Sequence, residues 1–128
     1  MLLYIILRYI DVRYEVNIMS IEYLKKKLAP MTEATYYTLL SLLEPKHGYG
    51  IMQFVTEISN GRLKLGPGTL YGILGKMHDN KVIKIVKIEG KRKIYCLTDI
   101  GLILLQDEIS RLEELYRNGY KQINKHVR

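Results

Sequence analysis

Along the chain the spacing of apolar residues is helical for most of its length and changes once to the alternation of strands. Ser20 to Leu28 predicts a short basic helix, stopped by Ala29-Pro30 because the residue before a proline avoids the α region. Thr32 stands where a cap belongs for a helix from Glu33 to about Leu43, with Tyr36, Leu39, Leu40 and Leu43 on one face. Glu44-Pro45-Lys46-His47-Gly48 breaks that helix. A second runs from about Tyr49 to Ser59, turns Ile51, Phe54, Val55 and Ile58 inward, and stops at Asn60-Gly61. A third opens at Gly66-Pro67-Gly68-Thr69, where Pro67 suits the first helical turn, and ends near Asn80. Val82 to Glu89 is then rich in β-branched residues, as a strand should be. Gly90-Lys91-Arg92 makes a tight connection, and Lys93 to Leu97 returns. Thr98 caps a long final helix from about Asp99 to Lys125.

The order helix, helix, helix, hairpin, helix predicts an α+β, mostly helical fold: a winged helix-turn-helix with a two-stranded wing and a long C-terminal helix. In such a domain the third helix enters the DNA major groove and the hairpin lies along the backbone beside it. The third helix supports this. At about 100° per residue, Leu70, Ile73, Leu74 and Met77 form one apolar stripe, and Gly68, Gly72 and Gly75 lie opposite. An interior glycine costs about 1 kcal/mol relative to alanine, so two of them on one outward face suggest a close approach to the backbone. Thr69 and Tyr71 are placed to meet phosphate or base edges, and Lys76 a phosphate. Asp79, further along the same face, repels phosphate, so the N-terminal half should insert and the C-terminal half lift away. The competing reading is that the glycines are merely tolerated and Tyr71 packs on a neighbouring helix.

Composition narrows the choice. The 128 residues are 48% hydrophobic, enough for one domain with a real core, and the single cysteine allows no internal disulfide, as suits a reducing cytoplasm. No apolar run approaches the roughly 20 residues that span a bilayer, and one cysteine with three scattered histidines argues against a metal site. The net charge is +7, and Lys76 to Lys93 alone holds seven cations against two anions. Lys91 and Arg92 fall at the hairpin tip, where a wing meets sugar-phosphate; a charged edge on a short sheet is the plainer alternative. Lys84 and Lys87 are expected to be ordinary outward strand residues, and Lys25-Lys26-Lys27 a solvated helix face. Residues 1–18 are read as an N-terminal extension arising from a misplaced start codon. Glu15-Val16 can be encoded as a ribosome-binding sequence at a suitable distance before Met19, with Met31 as a second candidate start. A native extension is the competing reading.

Four stretches carry a resemblance: PMTEATYYTLLSLL at 30–43, HGYGIMQFV at 47–55, LGPGTLYGIL at 65–74 and RKIYCLTDIG at 92–101. Together they resemble the PadR family of transcriptional regulators, from about Met31 to Tyr116. The resemblance implies a winged-helix dimer, usually a repressor, that binds an inverted-repeat operator in double-stranded DNA. It points to Thr69 and Tyr71 of the third helix and Lys91 and Arg92 of the wing as DNA contacts. Tyr36 and Tyr37 match a family pair of which one, taken as Tyr36, reaches phosphate. His47, Gly48 and Tyr49 are expected to build a turn, a cap and an aromatic brace.

The chain looks like the short-tailed group with a single final helix. The expected division is 19–30 as a basic helix, 31–98 as the DNA-binding domain and 99–128 as the dimerisation helix. Leu102, Leu105, Ile109, Leu112 and Tyr116 recur in a heptad-like seam that needs a partner, and a homodimer is preferred over packing back on the same chain. Glu108–Arg111, Asp107–Arg111 and Glu113–Arg117 are spaced for surface ion pairs of little individual value. Similar short-tailed proteins hold flat aromatic compounds at the dimer interface. This chain has no tryptophan there, so an aromatic stacking platform is not evident, and a small-molecule effector has no identity in the sequence. No cofactor is called for. An enzyme fits poorly, because the serines lack neighbouring histidine–acid partners and the glycine-rich GPG lacks the lysine of a phosphate-binding loop. The serious alternative is a winged-helix protein-interaction module without sequence-specific DNA binding.

Overall fold

The computed structural model describes residues 1–3 and 15–127, with side chains for 1–3 and 20–127. The expectation for residues 1–18 falls largely outside the described residues. From Glu15 on, the described residues form, in order, α1 (Glu15–Leu28), α2 (Glu33–Ser41), α3 (Gly48–Ile58), α4 (Pro67–Asp79), β1 (Ile83–Glu89), β2 (Arg92–Leu97) and α5 (Asp99–His126). The fold is a winged helix-turn-helix carrying a long C-terminal helix.

Local chemistry sets most of the boundaries. Thr32 Oγ1 accepts the Thr35 N–H at 3.1 Å and Thr98 Oγ1 accepts the Gly101 N–H at 3.0 Å, each satisfying a donor that a helix start leaves open. His47 does the same for α3, its Nδ1 accepting from the Gly50 N–H at 3.4 Å. Regular α2 ends two residues before its apolar spacing suggests. Leu42 N–H and Leu43 N–H bond back three residues, to Leu39 and Leu40, which tightens the last turn and leaves Leu43 exposed. In α3, Ile51 and Val55 are fully buried, Phe54 only half, and Ile58 stands at the helix end past the rim of the core. Helix α1 starts at Glu15, earlier than the basic segment suggests.

One core runs through all these elements. Leu39, Leu42, Leu70 and Leu105 are essentially inaccessible, and each buried leucine contributes about 1.5–3 kcal/mol relative to exposure. Helix α1 joins through Ile21, Leu24 and Leu28, and α5 through Ile103, Leu104 and Leu105. The lysines of α1 are less solvated than expected: Lys25 Nζ lies 3.5 Å from Asp107 on α5, and Lys27 Nζ donates to Asn80 Oδ1 at 3.0 Å, at the end of α4. At the first turn of α5, a Cβ on Gly101 would collide with the Val82 carbonyl oxygen, so only glycine lets the helix lie this close to the root of the wing.

Strands β1 and β2 pair antiparallel from Ile83 opposite Leu97 to Glu89 opposite Arg92, with a bulge between Ile85 and Lys87. Past the bulge, both faces of β1 are exposed. At its root the hairpin is stitched to the turn between α2 and α3. Lys46 and Tyr95 exchange two backbone hydrogen bonds, of 3.0 and 2.9 Å, and the Leu97 N–H donates to the Leu42 carbonyl at 2.9 Å. Lys46 is thereby structural: its ammonium also donates to the Ser41 carbonyl at 2.7 Å and sits 5.3 Å over the Phe54 ring.

Candidate nucleic-acid interface

Helix α4 is seated by Leu70, Leu74 and Met77, all buried, with Ile73 partly so. On the opposite side Gly68, Gly72 and Gly75 are exposed, and a Cβ at any of them would meet nothing within 4 Å. Nothing in this chain therefore requires glycine there. Thr69, Tyr71 and Lys76 flank that bare strip and are exposed as well. Gly66 caps the helix without a side-chain bond, so the first-turn N–H groups are left to an outside acceptor.

Between the start of α3, Tyr71 and the wing lies a cleft of about 520 Å³, lined by His47, Gly48, Tyr49, Tyr71, Lys91, Arg92, Lys93 and Tyr95. It brings together three of the DNA contacts expected from the sequence: Tyr71, Lys91 and Arg92. Thr69 and Lys76 lie on α4 outside the cleft lining. Tyr36 lies elsewhere, with its ring centroid 5.6 Å from that of Tyr37. Burial, then Tyr37, then the Glu108 carboxylate push the Tyr36 hydroxyl above its ordinary pKa. Tyr95, on the cleft wall, is likewise pushed up, first by burial and then by Tyr71. Both phenols thus stay protonated donors at neutral pH.

Glycine at position 48 brings the cleft together. A Cβ there would stand 2.6 Å from Tyr71 Oη, so the close approach of Tyr71 to the start of α3 depends on its absence. His47 caps α3 as expected and also faces the cleft. Lys93 is an additional member that the residue spacing did not single out, and Tyr49, expected as an aromatic brace, is exposed and lines the cleft. For Lys93 the signal was present in the run Lys91-Arg92-Lys93; for Tyr49 it was the neighbouring His47 and Gly48, which line the same cleft. Among the described residues none of those three wing cations has an ion-pair partner, whereas Lys87 meets Glu89 at 3.3 Å. Uncompensated positive charge around an aromatic cleft favours an anionic partner.

The expected dimer seam divides in two. Leu105 is 1% exposed and Leu102 packs against the core, so Leu105 is already used within its own chain. Ile109, Leu112 and Tyr116 are exposed, with Leu115, Tyr120 and Ile123 beyond. The rings of Tyr116 and Tyr120 meet edge to face at 5.1 Å.

Glu108 departs furthest from its expected surface pairing. It is 3% exposed, its Oε2 accepts the Met31 N–H at 2.8 Å, and Arg111 Nε donates to its Oε1 at 2.6 Å. The Arg111 guanidinium holds its carboxyl below the usual carboxylate range despite burial, with the Met31 N–H adding to the effect. Asp107 pairs with Lys25 instead of Arg111, and Glu113–Arg117 forms on the surface at 3.5 Å. Among the described residues no helix is long and apolar enough to cross a membrane, and no group of three His, Cys, Asp or Glu is placed to hold a metal.

Comparison with known proteins gives concordant results. A protein in transposon TN4556 of Streptomyces fradiae is 34% identical over 71 residues; the match takes in 56% of this chain but 20% of that protein, so the chain spans about a fifth of its relative's length. Among solved structures, a PadR family transcriptional regulator from Eggerthella lenta superposes with a TM-score of 0.57 at 22% identity, over 90% of this chain and 91% of that one. RosR of H. salinarum gives 0.60 at 17% identity, over 77% and 94%. These likenesses establish the fold. Residues 37–107, from α2 through the wing into α5, match the transcriptional regulator PadR-like family, and the chain belongs to it.

Proposed function

We propose that this transcriptional regulator is a homodimeric repressor that binds an inverted repeat in double-stranded DNA. In this reading residues 31–98 read the DNA, with Thr69, Tyr71 and Lys76 of α4 at the major groove and Lys91 and Arg92 on the adjoining backbone. The seam of α5 beyond Leu105 joins two copies. Tyr36 is retained as an outlying phosphate contact. The observation that carries the proposal is the meeting of Tyr71 with the unpaired cations of the wing around one cleft, beside a helix face stripped to glycine. His47, Tyr49 and Lys93 join the contact set because they line the same cleft. A protein-binding module has no need of a cationic wing beside a bare helix face. An effector entering the seam meets tyrosine rings, Tyr116 and Tyr120, where a tryptophan platform is missing.

Selection from a random DNA pool, repeated at two salt concentrations, tests the reading. The expected result is a palindromic motif with half-sites about one helical turn apart, or a multiple of it, and a steep loss of affinity with salt. Salt-sensitive binding without a motif would reduce the protein to a nonspecific binder. No binding would favour the interaction module.

A further inference from the structure

Helix α5 changes character at one residue. Up to Leu105 its apolar side chains lie in the core; from Ile109 onward they are exposed. Glu108 stands at that exit and, among the described residues, is the only buried charged side chain. Burying a carboxylate is unfavourable unless its oxygens are satisfied, and here both are. One partner is local, Arg111, one helical turn ahead. The other is the backbone N–H of Met31, 77 residues away in sequence, at the start of the segment leading into α2. A surface pair would need only the first. The second ties the exit of α5 to the entrance of the DNA-reading unit, and Lys25–Asp107 crosses the same joint from α1.

The leverage at this joint is large. Ile123, near the far end of the exposed seam, lies 15 residues beyond Glu108, about 22 Å along the helix axis. A tilt of roughly 9° at Glu108 displaces that end by about 3.4 Å, the rise of one base pair. We propose that Glu108 is a positioning residue: its two-sided hydrogen bonding fixes the angle between the DNA-reading unit and the dimer helix, and with it the half-site spacing that the dimer accepts. This rests on the dimeric DNA-binding reading above. The main-chain donor is the telling contact, because it survives every side-chain change at position 31 but proline and leaves the carboxylate as the adjustable partner.

The test uses the full chain and its selected operator, together with two versions carrying one base pair inserted or deleted at the centre. Wild type should prefer its own spacing by at least tenfold. Glu108→Ala, checked as folded by circular dichroism and as dimeric by sedimentation, should show a preference below threefold, with its affinity lost chiefly on the native spacing. Glu108→Gln keeps an acceptor for the Met31 N–H but loses the ionic partnership with Arg111, and should fall between. A folded, dimeric Glu108→Ala with the wild-type preference overturns the proposal, and so does an equal loss on all three DNAs, which marks a merely supporting role. Should Glu108→Ala fail to fold, Glu108→Gln decides on the same criterion. A wild-type protein that sediments as a dimer yet is indifferent to spacing overturns this proposal alone, and one that sediments as a monomer on its operator overturns the dimeric reading and this proposal with it.

Discussion

Helix α4 buries one apolar stripe and exposes a bare one, whereas the outer part of α5, from Ile109 on, leaves its apolar side chains exposed. The outward face of α4 is thin: glycines with nothing within 4 Å, bordered by hydroxyl, phenol and ammonium groups. The outward face of distal α5 is thick and apolar, from Ile109 and Leu112 to Tyr120 and Ile123. Neither is what an isolated soluble helix would present. Bare backbone costs helix stability without burying anything, and exposed isoleucine and leucine costs solvation. On the proposed reading the two faces meet different partners. A thin polar face suits a groove lined with hydrogen-bonding edges, and a thick apolar one suits another protein surface.

Substitutions can break that contrast from either side. The largest effect is expected from Ile109→Asp with Leu112→Asp, which places two charges in the seam. The protein should sediment as a monomer, and affinity for a two-half-site operator should fall by about a thousandfold, some 4 kcal/mol. Tyr71→Ala should cost operator binding about tenfold to a hundredfold with the dimer intact by sedimentation; monomerisation instead would make Tyr71 structural. Lys91→Ala with Arg92→Ala should weaken binding to every DNA sequence and flatten the plot of log affinity against log salt by about 1.8 for two phosphates lost. An unchanged slope would remove the wing from the contact.

Two smaller effects sharpen the comparison. Gly72→Ala should raise thermal stability by up to about 1 kcal/mol, since the methyl meets open space, while lowering DNA affinity. A gain in both would mean that nothing approaches that face. At the other helix, Glu108 gives a pH signature. Its carboxyl titrates below the ordinary value of 4.5 in the folded state, so its contribution is complete above the unfolded pKa and is lost as pH falls through the lower folded one. Chemical denaturation between pH 6 and pH 3 should show part of the acid destabilisation disappearing in Glu108→Gln.

Much of this architecture is legible in the order of residues alone, because it is written in short-range chemistry. Thr32 and Thr98 announce their helices by hydroxyls three residues ahead of the N–H groups they cap, and the stripe Leu70, Ile73, Leu74 and Met77 identifies the buried side of α4. What escapes such reading depends on contacts between distant segments. Glu108 and Arg111 look like any surface pair at i,i+3, and nothing near them reveals that Met31 donates a main-chain proton from 77 residues away. Leu105 belongs to the same heptad as Ile109, and periodicity does not distinguish a neighbour in the same chain from one in another. Tyr49 reaches the cleft through the folding of α3 against the wing, and two lysines of α1 find partners in α4 and α5.

The stitching of β2 to the turn before α3 carries a consequence for switching. With Lys46 bonded to Tyr95 and Leu42 to Leu97, the hairpin root and the helical turn form one rigid body, and their amide protons should be among the slowest to exchange with solvent. A wing held this way is fixed at its root, where it meets the helical turn. In the proposed dimer, a signal that frees the protein from DNA would then act on how the two heads are held apart rather than on the wing root. On that reading, induction is a matter of calliper width rather than of grip.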